Sequence, residues 1–196
     1  SDKKVLPLHK LPKQPATEKD GKIQNTVKNG DEVLVQIVKE PISTKGPRLT
    51  CEITFAGRFL VMIPFSDKVN VSTKIKTDSE RARLKQLVTK LKPKGFGIII
   101  RTVAEGRREP ELKQEIDILV QRWNDVVQRI RQRKTQDKVT LVYEETSRTV
   151  GLLRDLFNPS FEAIHVNDSK VFEEVREYVN LIAPECQNVV KLYQGK

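Results

Sequence analysis

The segment GFGIIIRTVAEG, residues 95–106, lies at the centre of the secondary-structure pattern of this 196-residue chain. Residues 98–100 are three consecutive isoleucines, a continuous apolar run that is typical of a strand buried between other layers. Arg101 and Thr102 follow this strand directly. We therefore expect both side chains to be held on a rigid element at the end of the strand.

An antiparallel β-pattern precedes this segment. Apolar-rich stretches predict three strands, at residues 33–38, 49–55 and 59–63. Only three residues separate the last two strands, and Gly57 among them favours a hairpin or a sharp bend with this glycine at the corner. Residues 1–29 have no sustained period, so we predict an exposed, flexible arm there.

Helical patterns flank the central strand on both sides. Thr77 and Glu80 have the spacing of a capping box, which predicts a helix from the next residue, 78, onward. A longer helix begins near Pro110, and its apolar residues recur with the helical period at Leu112, Ile116, Leu119, Trp123, Val127 and Ile130. Acidic and basic residues alternate elsewhere on it, so we interpret acidic residues such as Glu115 as part of a solvated helix face.

Residues 139–196 alternate between strand and helix. The predicted elements are a strand at 139–143, a helix at 149–157, a strand at 162–166, a helix from 169 and a strand at 188–193. Asp168 could serve a site at a strand end, but an N-cap role before the last helix explains it better. An antiparallel first third followed by mixed helices and strands predicts an α+β fold.

The net charge of +10 is distributed unevenly along the chain. Residues 61–110 contain 12 basic and 5 acidic residues, a net of +7, whereas residues 31–60 are neutral and residues 149–196 carry −2. A positive block between near-neutral flanks is typical of a protein that binds a polyanion. A solvated basic surface is the alternative, and charge alone does not separate the two.

Arg101 and Thr102 lie within this basic block. A guanidinium is a planar fork of donors that matches two phosphate oxygens, and a neighbouring hydroxyl adds another donor. Gly97 and Gly106 can let backbone N–H groups approach the same anion. These residues suggest a pocket for a terminal phosphate. The alternative is an arginine at a strand end that faces water.

Aromatic residues accompany basic ones on the predicted hairpin. Phe55, Phe59 and Phe65 lie on or beside it, near Lys45 and Arg58. Rings with basic neighbours on a small antiparallel sheet can stack single-stranded bases, as in OB-type folds. The alternative is a packed hydrophobic face.

The residue types that catalysis requires do not cluster in the sequence. Two-metal phosphodiester hydrolysis needs carboxylates gathered at strand ends, and no convincing pair is present. Two histidines and two cysteines, all widely separated, argue against a zinc site, and the few cysteines favour a reducing cytoplasm. No apolar run approaches the ~18 residues that a bilayer span requires. We therefore expect neither catalytic residues nor a bound cofactor nor a membrane segment in this chain.

Several blocks of the chain resemble, in order and spacing, the RNase E/G family of endoribonucleases. Within residues 30–64 these blocks are GDEVLVQ, KE, TKG, LT and AGRFLV. Further along come KGFGIIIRTVAEG, the RW pair at residues 122–123, LVYEE, LLRDLF, IHVND and KLYQG. The match extends over residues 30–196 nearly without a break, and ordered blocks are more specific than any single motif.

The resemblance implies roles for individual residues. Arg101 and Thr102 match the pair that binds an RNA 5′-monophosphate in this family. Gly57 and Val61 match positions whose backbone lines the same pocket. The basic residues that the resemblance places in contact with RNA are Lys39, Lys45 and Arg58.

The resemblance also implies a domain organisation. Residues 1–29 would be a variable loop of an S1 domain, residues 30–56 its last strands, residues 57–148 a 5′-sensor domain, and residues 149–196 part of an RNase H-like subdomain. The aspartates that bind Mg²⁺, a cysteine-containing zinc link between subunits and a further sensor arginine would lie outside the chain. We therefore expect an internal fragment that is inactive alone.

The resemblance implies that the parent protein is a cytoplasmic, homo-oligomeric endoribonuclease that depends on Mg²⁺. It would cleave single-stranded RNA in RNA processing, including rRNA processing, and in RNA decay, with a preference for 5′-monophosphorylated substrates. Two alternatives remain open. One is a non-catalytic RNA-binding or ribosome-associated module, and the other is a structural adaptor whose basic face meets an acidic protein.

Overall fold

The computed structural model describes residues 21–133, 139–145, 147–158 and 160–195. They form two compact units, the first reaching to Val142 and the second starting at Tyr143. Both units combine helices with strands, so the predicted α+β class is confirmed. Most of the predicted arm, residues 1–20, lies outside the described residues, and the remainder of it contains a 3-10 helix at Ile23–Asn25.

The first unit contains a two-stranded sheet, a four-stranded sheet and two α-helices. Its elements are β1 (Gln36–Lys39), β2 (Arg48–Thr50), β3 (Phe55–Ala56), β4 (Leu60–Pro64), β5 (Val69–Val71), α1 (Asp78–Leu91), β6 (Phe96–Ile100) and α2 (Glu109–Gln132). Strand β1 pairs antiparallel with β2, and a 3-10 helix, Thr102–Ala104, follows β6. The Gln36 side chain bonds the backbone N and O of Thr54 at 2.9 and 3.1 Å, which ties β1 to the residue before β3.

The four-stranded sheet has the strand order β3-β4-β6-β5. Strand β4 is antiparallel to both β3 and β6, whereas β5 runs parallel to β6 with α1 as the crossover between them. Both helices contact the sheet and each other, so they cover the same face. Alternate residues of the two central strands are buried beneath them: Leu60, Met62 and Pro64 of β4, and Phe96, Ile98 and Ile100 of β6.

The opposite face of the sheet is less covered. Ile99 is 36% exposed although the isoleucines on either side of it are fully buried. The expectation that residues 98–100 are buried on both faces is therefore wrong for Ile99. Successive side chains of a strand point to opposite faces, and α1 and α2 cover only one of them.

Helix α2 supplies the centre of the hydrophobic core. Trp123 is fully buried, and its ring meets the rings of Phe55, Phe65 and Phe96 edge to face at centroid distances of 6.1, 5.6 and 6.0 Å. Edge-to-face contacts of this kind stabilise aromatic clusters beyond simple burial. The predicted apolar face of this helix is confirmed, because Leu112, Ile116, Leu119 and Val127 are also buried.

Three local predictions are wrong. The predicted strand at 49–55 is interrupted, since β2 ends at Thr50 and β3 starts at Phe55. Residues 139–143 contain no strand. The capping box is not formed, because Thr77 makes no side-chain cap hydrogen bond and the carboxylate of Glu80 accepts charge-assisted bonds from Arg83.

The second unit is a small α/β arrangement. Its elements are α3 (Arg148–Leu156), β7 (Ile164–Val166), α4 (Ser169–Ile182), a 3-10 helix (Pro184–Val189) and β8 (Val190–Leu192). Strands β7 and β8 are parallel, and the core is formed by residues that include Leu153, Val166, Val175 and Val179. The N-cap prediction is confirmed, because the Asp168 carboxylate accepts a 2.9 Å hydrogen bond from the backbone N–H of Val171.

Candidate phosphate-binding site

Arg101 lies at the end of β6, against the turn between β3 and β4. Its backbone N–H donates to the carbonyl of Phe59 at 2.8 Å, which extends the β4–β6 ladder by one step. Its Nη1 atom donates to the carbonyl of Gly57, also at 2.8 Å. Backbone and side chain are thus both held by the turn, and two residues that the sequence predicts for one pocket are in direct contact.

Thr102 is the first residue of the 3-10 helix after β6. Its Oγ1 atom lies 3.1 Å from the Oγ atom of Ser72, and Ser72 follows β5, the strand beside β6. The backbone N–H of Ser72 donates to the carbonyl of Ile100 at 2.9 Å, which fixes the position of its hydroxyl. Two half-buried hydroxyls therefore lie side by side next to Arg101.

The turn between β3 and β4 surrounds the carboxylate of Glu115, which projects from α2. The backbone N–H of Arg58 donates to Oε1 at 2.5 Å, and that of Phe59 donates to Oε1 at 3.1 Å and to Oε2 at 2.9 Å. Gly57 makes this close approach possible, because a Cβ atom there would lie 2.7 Å from Cδ of Glu115. The interpretation of Glu115 as a solvated residue is wrong.

Burial raises the pKa of the Glu115 carboxyl above its usual range. The backbone hydrogen bonds from the turn and the positive charge of Arg101 act in the opposite direction, and desolvation outweighs them. A pattern in the sequence does mark this residue as inward-facing. Glu115 lies three residues after Leu112 and four before Leu119, on the apolar face of α2.

Two guanidinium groups flank the ring of Phe59. Arg58 lies 5.4 Å and Arg107 lies 5.0 Å from the ring centroid, both within the range of cation–π attraction. Phe59 is half-buried and lies two residues after Gly57. Phe59, Arg58 and Arg107 form what we call the arginine–phenylalanine stack, a positively charged surface that adjoins the turn.

The other two phenylalanines proposed for base stacking lie in different surroundings. Phe55 is only 4% exposed and packs on Trp123, so the alternative of a packed hydrophobic residue holds for it. Phe65 is 38% exposed, but its ring also packs edge to face on Trp123. Phe59, in contrast, contacts two arginine side chains.

A network of charges holds the segment that follows Thr102. Glu80 accepts two hydrogen bonds from Arg83, which lower the pKa of this carboxyl to about 2. Its Oε1 atom also accepts the backbone N–H of Gly106 at 2.8 Å, and Arg83 donates to the carbonyl of Arg107 at 3.0 Å. The N–H of Gly106 therefore bonds an internal carboxylate and not the anion for which the sequence suggested it.

The remaining predicted residues lie on the strands and on the hairpin. Val61 is a half-buried residue of β4 that is paired with Ala56 on one side and Ile99 on the other. Lys39 is the exposed last residue of β1. Lys45 is exposed in the tight turn that follows β1, where its backbone bonds Ile42 in both directions. The structure thus joins Arg101 with Gly57 of the turn, pairs Thr102 with Ser72 on the β5 side of β6, and places the two lysines on a separate hairpin.

The described residues contain neither a candidate metal site nor a helix that could span a membrane. They bring no group of three or more histidine, cysteine, aspartate or glutamate side chains together in a way that could hold a metal ion. No helix in the described part of the chain combines the length and the apolar character that crossing a membrane requires.

The known proteins to which this chain is similar include several ribonucleases of one family. A sequence profile of the Ribonuclease E/G family matches residues 54–196. Ribonuclease G of Haemophilus influenzae is 38% identical over 173 residues, which are 88% of this chain and 35% of that protein. Ribonuclease G of Escherichia coli is 34% identical over 174 residues, 89% of this chain and 35% of that protein. Ribonuclease E of a Nostoc species is 36% identical over 147 residues, which are 75% of this chain and 21% of that protein. The chain therefore spans about a third or less of the length of these relatives.

Proposed function

This chain belongs to the ribonuclease E/G family, and on that premise we propose that it binds single-stranded RNA and recognises a 5′-monophosphate for an endoribonuclease. The residues assigned to the phosphate are Arg101, Thr102, Gly57 and Val61. The first two would contribute side-chain donors, and the last two would line the pocket with their backbone. The matched relatives are ribonucleases by name, which supports an RNA substrate.

The hydrogen bond from Arg101 to the Gly57 carbonyl is the observation that carries the proposal. A guanidinium has five N–H donors in a fixed plane, so it can hold a carbonyl oxygen and a phosphate oxygen at the same time. The contact with Gly57 fixes the direction of that plane before any ligand arrives. The hydroxyls of Ser72 and of Thr102, the residue directly after Arg101 in the chain, lie 3.1 Å apart, and we assign them as further donors to the phosphate oxygens.

A terminal phosphate monoester differs from an internal phosphodiester by its additional charge and by its exposed oxygens. A 5′-hydroxyl end lacks both and cannot engage a fixed guanidinium through two oxygens. We assign the arginine–phenylalanine stack and the exposed Lys39 and Lys45 to the internal phosphates, whose binding is independent of the 5′ end.

Hydrolysis is assigned to residues of the longer protein. The described residues do not fit a Mg²⁺ site, because they provide no cluster of three or more ligating side chains. We propose that Mg²⁺-binding carboxylates outside the 196 residues cleave the RNA, and that Zn²⁺, if it links subunits of a homo-oligomer, is bound there too. The present chain would set the preference for the RNA end.

A binding experiment tests the proposal. The affinities of a 5′-phosphorylated and a 5′-hydroxyl oligoribonucleotide of the same sequence are measured for the chain and for Arg101→Ala. We expect the chain to bind the phosphorylated RNA about 10-fold more tightly, which is the affinity that one charge-assisted hydrogen bond contributes. The variant should lose that preference. Lys85→Ala, which removes one exposed charge from α1, is the control. Equal binding in all arms would contradict the proposal.

A further inference from the structure

Glu115 connects helix α2 with the pocket through the backbone of the β3–β4 turn, and the positive charge of Arg101 also acts on its carboxylate. Its carboxylate accepts the N–H groups of Arg58 and Phe59, and these residues follow Gly57, whose carbonyl holds Arg101. The contacts run from Glu115 to the turn and from the turn to the guanidinium. A carboxylate thus fills the cradle of N–H groups that an external anion would otherwise use.

We propose that Glu115 is a positioning residue for 5′-phosphate recognition, which acts by hydrogen-bonding the β3–β4 turn so that the Gly57 carbonyl orients Arg101. The inference rests on the proposed function of the Arg101 pocket. It adds a residue that does not contact RNA, because its carboxylate lies on the helix side of the turn and is occupied by the turn's own N–H groups.

The identity of residue 57 supports this role. Gly57 is buried, and a Cβ atom at this position would lie 2.7 to 3.0 Å from three atoms of the Glu115 carboxylate. Such distances are shorter than van der Waals contact allows, so even alanine at this position would displace the carboxylate from the turn. The glycine is therefore required by the packing of Glu115, and the two residues form one structural unit.

The position of an acceptor atom matters here more than its charge. Oε1 accepts the N–H of Arg58 at 2.5 Å and that of Phe59 at 3.1 Å, and Oε2 accepts the N–H of Phe59 at 2.9 Å. An amide oxygen at the Oε1 position can still accept from both N–H groups, although the NH2 group of glutamine replaces the second acceptor. Burial also raises the pKa of the carboxyl, while the backbone hydrogen bonds and Arg101 act in the opposite direction. Aspartate keeps the charge but withdraws the oxygens by one C–C bond, about 1.5 Å, and loses the contact.

The test compares Glu115→Gln, Glu115→Asp and Glu115→Ala in the full 196-residue chain. Affinities for the 5′-phosphorylated and 5′-hydroxyl oligoribonucleotides are measured for each variant, and circular dichroism and the melting temperature report folding. We expect Glu115→Gln to retain the phosphate preference within about 3-fold, and Glu115→Asp and Glu115→Ala to reduce it by about 10-fold. Affinity for the hydroxyl RNA should change by less than about 2-fold in all three, because its phosphodiester contacts lie elsewhere. Lys85→Ala is again the control.

The other outcomes are distinct. A retained preference in Glu115→Asp, or a loss in Glu115→Gln that equals the loss in Glu115→Ala, would overturn the positioning role. Equal weakening of both RNAs would assign Glu115 to folding alone. If the unmodified chain shows no phosphate preference, the proposed function fails and this inference fails with it. If the chain shows the preference and Glu115→Asp leaves it intact, only this inference fails.

A double variant tests the link with Gly57 separately. We expect Gly57→Ala alone to reduce the phosphate preference as Glu115→Ala does, because the new methyl group displaces the carboxylate. The double variant Gly57→Ala/Glu115→Ala should be no worse than the Glu115→Ala single variant, within about 2-fold, since contacting residues are not additive. Losses that multiply in the double variant would show that the two residues act independently.

Discussion

The Nη1 atom of Arg101 lies 2.8 Å from the carbonyl oxygen of Gly57, a residue 44 positions earlier in the chain. The backbone of Arg101 is held as well, since its N–H bonds the carbonyl of Phe59. The guanidinium is thus oriented by the β-sheet itself and not by a flexible loop. A pre-organised donor loses less conformational entropy when a ligand binds, which favours a pocket for a small, charged group at this corner.

Replacement of Arg101 by lysine tests the geometry of the guanidinium independently of its charge. Arg101→Lys keeps a positive charge but cannot hold the Gly57 carbonyl and two phosphate oxygens in one plane. We expect the preference for 5′-phosphorylated RNA to fall by about 10-fold, because a charge-assisted hydrogen bond contributes about 1.5–3 kcal/mol. Titration with the phosphorylated and hydroxyl RNAs measures this, and a preference equal to that of the unmodified chain would contradict it.

The hydroxyl pair of Thr102 and Ser72 gives a second prediction. Thr102→Val and Ser72→Ala each remove one hydroxyl with little change in shape, and each should lower affinity for the phosphorylated RNA by about 2- to 10-fold. Because the two oxygens are 3.1 Å apart, the double variant should lose less than the product of the single losses. The same titrations in a double-mutant cycle measure the coupling, and strictly multiplicative losses would show that the two hydroxyls act independently.

The salt dependence of RNA binding tests the basic residues outside the pocket. Each phosphate contact to single-stranded RNA contributes about 0.7 to the slope of log K against log salt concentration. Arg107→Gln, Lys39→Gln and Lys45→Gln should each reduce that slope by about this amount and weaken both RNAs equally. Lys85→Ala should leave the slope unchanged. A slope that no variant alters would exclude these side chains from the RNA path.

The ion pair of Glu80 and Arg83 predicts a pH dependence of stability. The hydrogen bonds from Arg83 lower the pKa of Glu80 from 4.5 to about 2 in the folded chain. A depressed pKa contributes stability above pH 4.5, and that contribution is lost as the pH falls towards about 2. Arg83 is 44% exposed, so solvent screening limits the effect to about 1 kcal/mol or less.

Denaturant unfolding of the chain and of Glu80→Gln between pH 2 and pH 6 measures this contribution. The free energies of unfolding should differ at pH 6 and should converge as the pH falls through the folded-state pKa of Glu80, about 2. The subtraction removes the contributions of other carboxyl groups, such as Glu111. A constant difference across this range would show that the pair does not affect stability through ionisation.

Local sequence patterns were sufficient for much of the fold. The apolar period of α2, the break at Gly57 and the cap at Asp168 each depend on residues within a few positions of one another. The same kind of pattern predicts a strand at 98–100 followed by Arg101 and Thr102, and β6 confirms that strand. The wrong predictions, such as the strand at 139–143, concern stretches whose structure depends on partners and not on local propensity.

The sequence by itself determined which elements form and which residues end the central strand, because hydrophobic period and capping are local properties of the chain. Only the tertiary structure decided that Ile99 lies on the less covered face, because this depends on which side of the sheet α1 and α2 pack. It also decided that Glu115 enters the turn 57 residues before it and that Ser72 meets Thr102. These contacts depend on strand order and helix placement, and both depend on the folding of the whole unit.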